Sequence, residues 1–436
     1  MHFLEKRVKQ QQKVHSAKEI TFLGATSIGI GGMVGGGIFA VLGMAVMIAG
    51  GATPLSFLIA GIVALLTAYS YAKLSVTYPS EGGTVIFIDR AFGIDLMTGG
   101  LNNLLWLSYI VTLSLYAVAF ANYAATFFHG DSVFLKHVLI SSGILVPMLL
   151  NLATPALISK TETMVVVIKL SILILVILFG FGSIDTARLA PDTWEPIGQI
   201  VGGAMIMFVA YEGFELIANT APSVKNYQVT LPRAYYASVL FVIVLYMLIA
   251  MVTVGSLDPK QIVRASDFAL AEAAKPSMGQ MGFTLVAVSA VLATFSAINA
   301  TIYGSARLAY TIAKEGELPA HLEKKKWNQP IAGVILTSLF SLLLANTADL
   351  SSISTMGSAG FLIIFALVNA ANYVKSDEAG SSRWIASLGV IACLFALLAL
   401  LMHTWQNHPA QIWVLVVMVT IAFAVEQIYI SKYKKQ

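Results

Sequence analysis

An all-α membrane protein is the fold class this sequence predicts, with twelve transmembrane helices, the first ten in two five-helix repeats of inverted topology, and with helices one and six discontinuous. Three observations carry that expectation. The composition is apolar, and the apolar residues fall into runs of membrane-spanning length. Two of those runs, at corresponding places in the two halves, are interrupted by glycines or by carboxylates.

The composition sets the solvent. Of 436 residues, 58% are hydrophobic and only 11% are charged, against roughly 25% charged in a soluble domain. Mean hydropathy is +0.81. The lone cysteine, Cys393, sits in an apolar run, which excludes an intramolecular disulfide or a cysteine metal cluster. The first twenty residues, "MHFLEKRVKQQQKVHSAKEI", are basic and polar, and the apolar run after them is longer than a signal-peptide core and lacks a cleavage site. That segment is expected to stay attached as a short tail.

Runs of the length needed to cross a bilayer, about 20 residues, lie near 21–49, 53–78, 95–127, 135–154, 160–182, 196–219, 231–256, 279–313, 330–347, 350–374, 384–404 and 410–431. The layout divides the chain into a tail 1–20, a first repeat 21–182, a second repeat 196–374, a final helix pair 384–431 and a tail 432–436. With the amino terminus in the cytoplasm, 20 of the 26 Lys and Arg fall on the inner side. Only Lys136, Arg188, Lys260, Arg264 and Lys275 fall outside, and Lys169 belongs to neither side. The positive-inside rule therefore places both termini in the cytoplasm of a cell-membrane protein.

Several function classes drop out. No glycine is followed by lysine, so a phosphate-binding loop of the "GxxxxGK[ST]" kind is excluded, and there is no "HExxH". The histidines, His2, His15, His129, His137, His321, His403 and His408, lie in tails, loops or span ends and read as solvated or interfacial. A net charge of +4 is explained by the cytoplasmic loops, which leaves no case for nucleic-acid binding. No cofactor and no metal are expected, and nothing points to an enzyme or to an obligate protein partner.

Chemistry concentrates in the interrupted spans. "GIGGMVGGGIF", Gly29 to Phe39, holds six glycines in eleven residues. Each costs about 1 kcal/mol relative to alanine in a helix, and unpaired backbone in hydrocarbon costs several times that. A broken helix explains this, because amides opened at Gly35, Gly36 and Gly37 can hold a carboxylate with the help of the helix dipole. Close helix packing is the competing explanation, since Gly31 with Gly35 and Gly32 with Gly36 have four-residue spacing. Span six reads "FVAYEGFELIAN", with Gly213 between Glu212 and Glu215. Carboxylates within a span mark a cavity or pathway by default. Carbonyls freed in span one, and near Val209 and Glu212, can accept from an ammonium group. Paired breaks of this kind point to an inverted-repeat transporter for an amino acid.

Four segments, "GGMVGGGIF", "YAKLSVTYPSEGGTVIFIDRAFG", "YEGFELIANTAPSVKN" with the later "LPRA", and "NATIYGSARLAYTIAKEGELP", resemble those of the amino acid, polyamine and organocation permeases. The resemblance covers essentially the whole chain and implies the leucine-transporter fold, with alternating access. It is nearest to the proton-coupled amino acid transporters of prokaryotes. It implies carboxylate contacts at Gly35, Gly36 and Gly37, a carbonyl from Met33 toward the amino group, and backbone carbonyls with an aromatic lid between Phe208 and Gly213. Tyr211 is the first candidate lid and Phe208 the second. Many relatives carry serine or alanine where Gly36 stands, which removes one hydroxyl contact. Lys169, in "TMVVVIKLSILIL", matches a lysine of helix five whose ammonium, the resemblance implies, replaces sodium between helices one and eight and carries the coupling proton. Snorkelling toward water near Glu162 is the plainer explanation. Glu212 and Glu215 take a substrate contact or a proton-linked or structural role, and Glu81 a gate or turn contact. Ala210 and Ala297 suit a broad neutral pocket. The expected function is proton-coupled, sodium-independent amino acid transport, whose partners are the amino acid, protons and the bilayer. An exchanger, a polyamine transporter and a membrane amino acid sensor of the same fold are the alternatives.

Overall fold

A computed structural model of the chain describes residues 20–128, 132–153, 155–323 and 330–433. The basic residues 1–19 with His2 and His15, His129, Lys324 to Lys326 and residues 434–436 lie outside these, as do the side chains of Lys160, Glu162 and His321.

Span one starts as α1 (Phe22–Met33), whose first turn is capped by Thr21 accepting from Gly24 N at 3.3 Å. Val34 to Gly36 form a turn, and α2 (Gly37–Ala49) departs at 46°. Three consecutive glycines lower the cost of ending one helix and starting another, and the kink falls on them. Then follow α3 (Thr53–Thr77), the short amphipathic α4 (Thr84–Phe92) and α5 (Leu96–Ala125). Gly83 turns the chain into α4 at φ 45°, a conformation side chains resist. Asp95 and Thr98 close a capping box on α5. Buried on all sides over most of its length, α5 forms the central pillar.

At the periphery stand α6 (Val133–Ala153) and α7 (Pro155–Gly180), with Leu149, Val167 and Leu178 turned outward to lipid. Span six begins as α8 (Ile197–Ile206) and continues, without a gap, as a 3-10 helix over Met207–Ser223. The break expected between Phe208 and Gly213 is therefore a change of winding at Met207. Its cause lies across the interface: Ser354 and Ser358 both donate to Ile206 O at 2.8 Å, and Val209 N donates to Ser358 Oγ at 2.9 Å. Those bonds satisfy backbone groups that the α-helical ladder releases.

The remaining helices are α9 (Tyr227–Ser256), α10 (Lys275–Lys314), α11 (Ile331–Thr347), α12 (Leu350–Val374), α13 (Arg383–Asn407) and α14 (Pro409–Tyr433). Among the described residues, ten helices are long and apolar enough to cross a membrane, and the bent pair α1 and α2 makes an eleventh. α11 is apolar but shorter, at 17 residues, and coincides with the ninth expected span. The protein is thus an almost wholly helical, multi-pass membrane protein.

α1 packs on the 3-10 helix and on α9, α3 on α9, α5 on α10, α12 and α14, and α7 on α10. Hydrogen bonds stitch the interior where hydrocarbon offers none: Ser70 donates to Asn369 Oδ1 at 2.7 Å and Asn369 to Thr67 Oγ1 at 3.0 Å, joining α3 to α12. Two short extended pairings mark the two ends of the bundle. At one face Ile20 N donates to Ser223 O and Lys225 N to Ile20 O; at the other Gly51 N donates to Thr193 O.

Candidate functional site

The three turn glycines are places of close approach. A Cβ on Gly36 would stand 2.3 Å from Tyr116 Cδ1, one on Gly37 2.8 Å from Ala210 Cα, and one on Gly35 3.0 Å from Ala297 Cβ. Tyr116 of α5 thus lies in the space a side chain at Gly36 would need. The carbonyl of Met33 is engaged: the Tyr246 hydroxyl stands 2.7 Å from Met33 O and 3.2 Å from Ala210 O and is shared between them. α9 therefore braces the ends of both interrupted elements.

Along span six the side chains diverge. Phe208 is buried against Phe365, with ring centroids 5.8 Å apart, and Tyr211 donates to Phe57 O at 2.9 Å while its ring meets that of Tyr246. Both expected lid residues lie in packed interior. Gly213 has no room for any side chain, because its Cβ would fall 2.2 Å from Gly32 C; α1 and the 3-10 helix touch backbone to backbone there.

The two carboxylates part company across that contact. Glu215 accepts from Tyr71 Oη at 3.1 Å, from Thr84 Oγ1 at 3.0 Å and from Tyr109 Oη. One buried carboxylate thereby fastens α3, the start of α4 and α5 to span six. Glu212, 4% exposed, makes no hydrogen bond through Oε2 and has the hydroxyls of Thr112 and Tyr116 beside it.

Lys169, 3% exposed, donates to Gly31 O at 3.0 Å. It is a buried ammonium on the backbone of α1, and its head does not lie in water. Between these groups lies a cavity of about 30 Å³, lined on α1 by Gly31 and Gly32, on α7 by Lys169, on span six by Glu212 and Glu215, on α5 by Tyr109 and Tyr116, and on α10 by Ser296, Ala297, Ala300 and Thr301. A water needs roughly 10–15 Å³ of such space, so the cavity is large enough to admit water. The residues brought together are thus Lys169, Glu212 and Glu215, while Gly35 to Gly37, Met33, Phe208, Val209 and Tyr211 stand apart from the cavity in close packing. Tyr109 and Tyr116 are lining residues that sequence reasoning missed. Their signal was present, since tyrosines at 109, 116 and 123 recur every seven residues and share one face of α5.

Two further polar places flank this centre. At the Ile20 face Asn102 donates to Asp89 Oδ1 at 2.9 Å and to Glu317 Oε2 at 2.7 Å. Burial pushes the Asp89 carboxyl up to about 6, only partly opposed by the Asn102 hydrogen bond. At the Gly50 face a cavity of about 430 Å³ opens between α2, α8, α12 and α13. On its wall His403, expected to be solvated or interfacial, is buried with Nε2 2.6 Å from Gln199 Oε1. Among the described residues no cluster of His, Cys, Asp and Glu has the geometry to hold a metal ion.

Residues 20–423 match the family model described as amino acid permease. The chain is 34% identical over 393 residues to an uncharacterized protein of Methanocaldococcus jannaschii, covering 90% of each chain. It is 32% identical over 401 residues to the inner membrane transport protein YbaT of Escherichia coli, covering 91% of this chain and 93% of that one. With the methylthioribose transporter of Bacillus subtilis it shares 24% identity over 449 residues, 95% of this chain and 94% of that one. A buried lysine and glutamate around a central cavity, two interrupted spans and this likeness along nearly the whole chain agree: the protein is a membrane transporter, not an enzyme, and belongs to the amino acid permease family of the amino acid, polyamine and organocation superfamily.

Proposed function

We propose that the protein is a secondary active amino acid transporter, proton-coupled and sodium-independent, that works by alternating access in the cell membrane. The observation that carries this reading is Lys169. Its Nζ is buried on Gly31 O and faces α10 across a small cavity, so an amino group that can carry positive charge stands between spans one and eight. A lysine there supplies positive charge without a metal ion, and in this reading its Nζ carries the coupling proton.

In this mechanism the substrate carboxylate is held by the amides at Gly35 to Gly37 after Tyr116 withdraws from Gly36. The ammonium is met by carbonyls of Met33, Val209 and Glu212 after Tyr246 releases its hold. Tyr211, with Phe208 behind it, closes over the bound molecule. Ala210 and Ala297 leave room for a range of neutral side chains. Residues 21–182 and 196–374 act as the two inverted five-helix repeats, followed by the helix pair 384–431. The excess of Lys and Arg supports a cytoplasmic Ile20 face and cytoplasmic termini. A methylthioribose transporter among the relatives is a reminder that membership of this family leaves the cargo open.

Purified protein in proteoliposomes, assayed with a panel of labelled amino acids for uptake and counterflow, tests the reading. Accumulation should follow an imposed pH gradient and ignore sodium, and Lys169→Ala should lose accumulation while retaining binding. Sodium-stimulated uptake by the unaltered protein would argue directly against it.

A further inference from the structure

Lys169 and Glu212 ionise to opposite charges, each is more than nine-tenths buried, and both line the cavity of about 30 Å³ between α1, α5, α7, α10 and span six. The other titratable groups on its walls are Tyr109 and Tyr116 from α5 and Glu215 from span six; the α1 and α10 walls contribute glycine, alanine, serine and threonine. Glu215 is taken up by three hydroxyl donors. Glu212 has Oε2 without a hydrogen bond. A charge buried at membrane depth is sustained when an opposite charge shares its surroundings, and such pairs form proton relays.

We propose that Lys169 and Glu212 are a proton couple joined through water in this cavity, with Glu212 as the second proton-carrying residue of the transporter. The exchange balances. The Lys169 ammonium gives a proton to the bridging water as that water gives one of its own to a Glu212 carboxylate oxygen, and ammonium plus carboxylate become amine plus carboxylic acid. Net charge stays at zero, so neither arrangement introduces an uncompensated charge into hydrocarbon. The couple also has a route to the substrate site. Tyr116 stands beside Glu212 and its ring fills the space over Gly36, so the protonation of Glu212 acts on the residue that must withdraw for an amino acid to bind.

The inference rests on the proton-coupled reading of Lys169 for its role in transport, and its test is separable from that reading. K169M, E212Q and K169M/E212Q proteins are purified in detergent and unfolded by heat. Each single variant leaves one buried member of the couple without its partner and should lower the unfolding temperature, and the double variant should regain most of that loss. Strictly additive losses would overturn the pair. Infrared difference spectra provide a second readout. The carbonyl stretch of a protonated carboxylic acid should be present in K169M under conditions where the unaltered protein lacks it, and its absence from K169M/E212Q assigns it to Glu212; identical spectra for K169M and the unaltered protein would overturn the proposal. If a single variant fails to fold, folding of the double variant supports the couple, and failure of all three overturns it. Non-additive unfolding alongside uptake that ignores the pH gradient would uphold the couple and sink the proton-driven reading; additive unfolding with gradient-driven uptake would do the reverse.

Discussion

Replacing Gly213 by alanine adds one methyl at the point where α1 and span six meet. The new Cβ would lie 2.2 Å from Gly32 C, 2.5 Å from Met33 N and 2.6 Å from Gly32 O. Carbon atoms rest at about 3.5–4.0 Å, so the two backbones must separate by more than about 1 Å. None of the three atoms belongs to a flexible side chain that can turn aside. Overpacking of this kind costs about 1–3 kcal/mol, which is about 5- to 150-fold in any equilibrium that uses the contact. Gly32→Ala meets the same obstacle from the other side, with Gly213 O at 2.6 Å, so the two substitutions together should cost less than their sum. Gly198→Ala is the control, because its Cβ meets nothing within 4 Å; it should be neutral or stabilising by up to about 1 kcal/mol. Thermal unfolding in detergent and amino acid counterflow in proteoliposomes measure both consequences. A Gly213→Ala protein with unaltered unfolding temperature and unaltered counterflow would refute the backbone contact and the argument built on it.

Gly36→Leu should abolish amino acid binding while the protein still folds, since the side chain competes with Tyr116 and with the carboxylate for one space; equilibrium binding of a labelled amino acid panel decides. Glu215→Gln should depress alanine and lysine uptake together, because it disturbs three hydroxyl donors from α3, α4 and α5, with a loss of about 1.5–3 kcal/mol for a charged hydrogen bond. Competition between the two amino acids measures it, and selective loss of lysine would assign the carboxylate to a cationic side chain. Asp89, held up at about 6 by burial against an ordinary 3.8, binds its proton more tightly folded than unfolded. Stability from that proton is present below about pH 4 and is lost as pH rises through about 6, so Asp89→Asn should unfold at a higher temperature than the unaltered protein above about pH 6 and match it near pH 4.

Composition and run length made the membrane helices legible, because hydrocarbon leaves few other ways to satisfy a backbone. The kink at Val34 to Gly36 was legible for a similar reason, since glycine is the residue least able to keep a helix going. Lys169 announced itself by standing alone in an apolar run. The winding of span six was hidden. It depends on Ser354 and Ser358, far along the chain, which supply bonds that no local pattern records. Tyr109 and Tyr116 were legible as a seven-residue repeat on one face of α5, but which neighbours that face meets is set by α1, α10 and span six and is written nowhere in the local pattern. His403 sat near a span end and read as wet; its bond to Gln199 across α8 and α13 is what allows burial.

α1 and the 3-10 helix are tied at three heights: by main-chain bonds at Ile20, by the Gly32 and Gly213 contact, and by Tyr246 reaching Met33 and Ala210. In the proposed alternating-access cycle, two strips fastened in this way swing as a single door. Under the proposed proton coupling, arrangements in which one strip is ajar while the other stays shut are those through which protons would slip past without cargo, and the three ties suppress them. Resistance to leak then resides in main-chain atoms and absent side chains. Substitutions elsewhere can slow the door, but a carrier of this build comes to leak chiefly when something is added between its two strips.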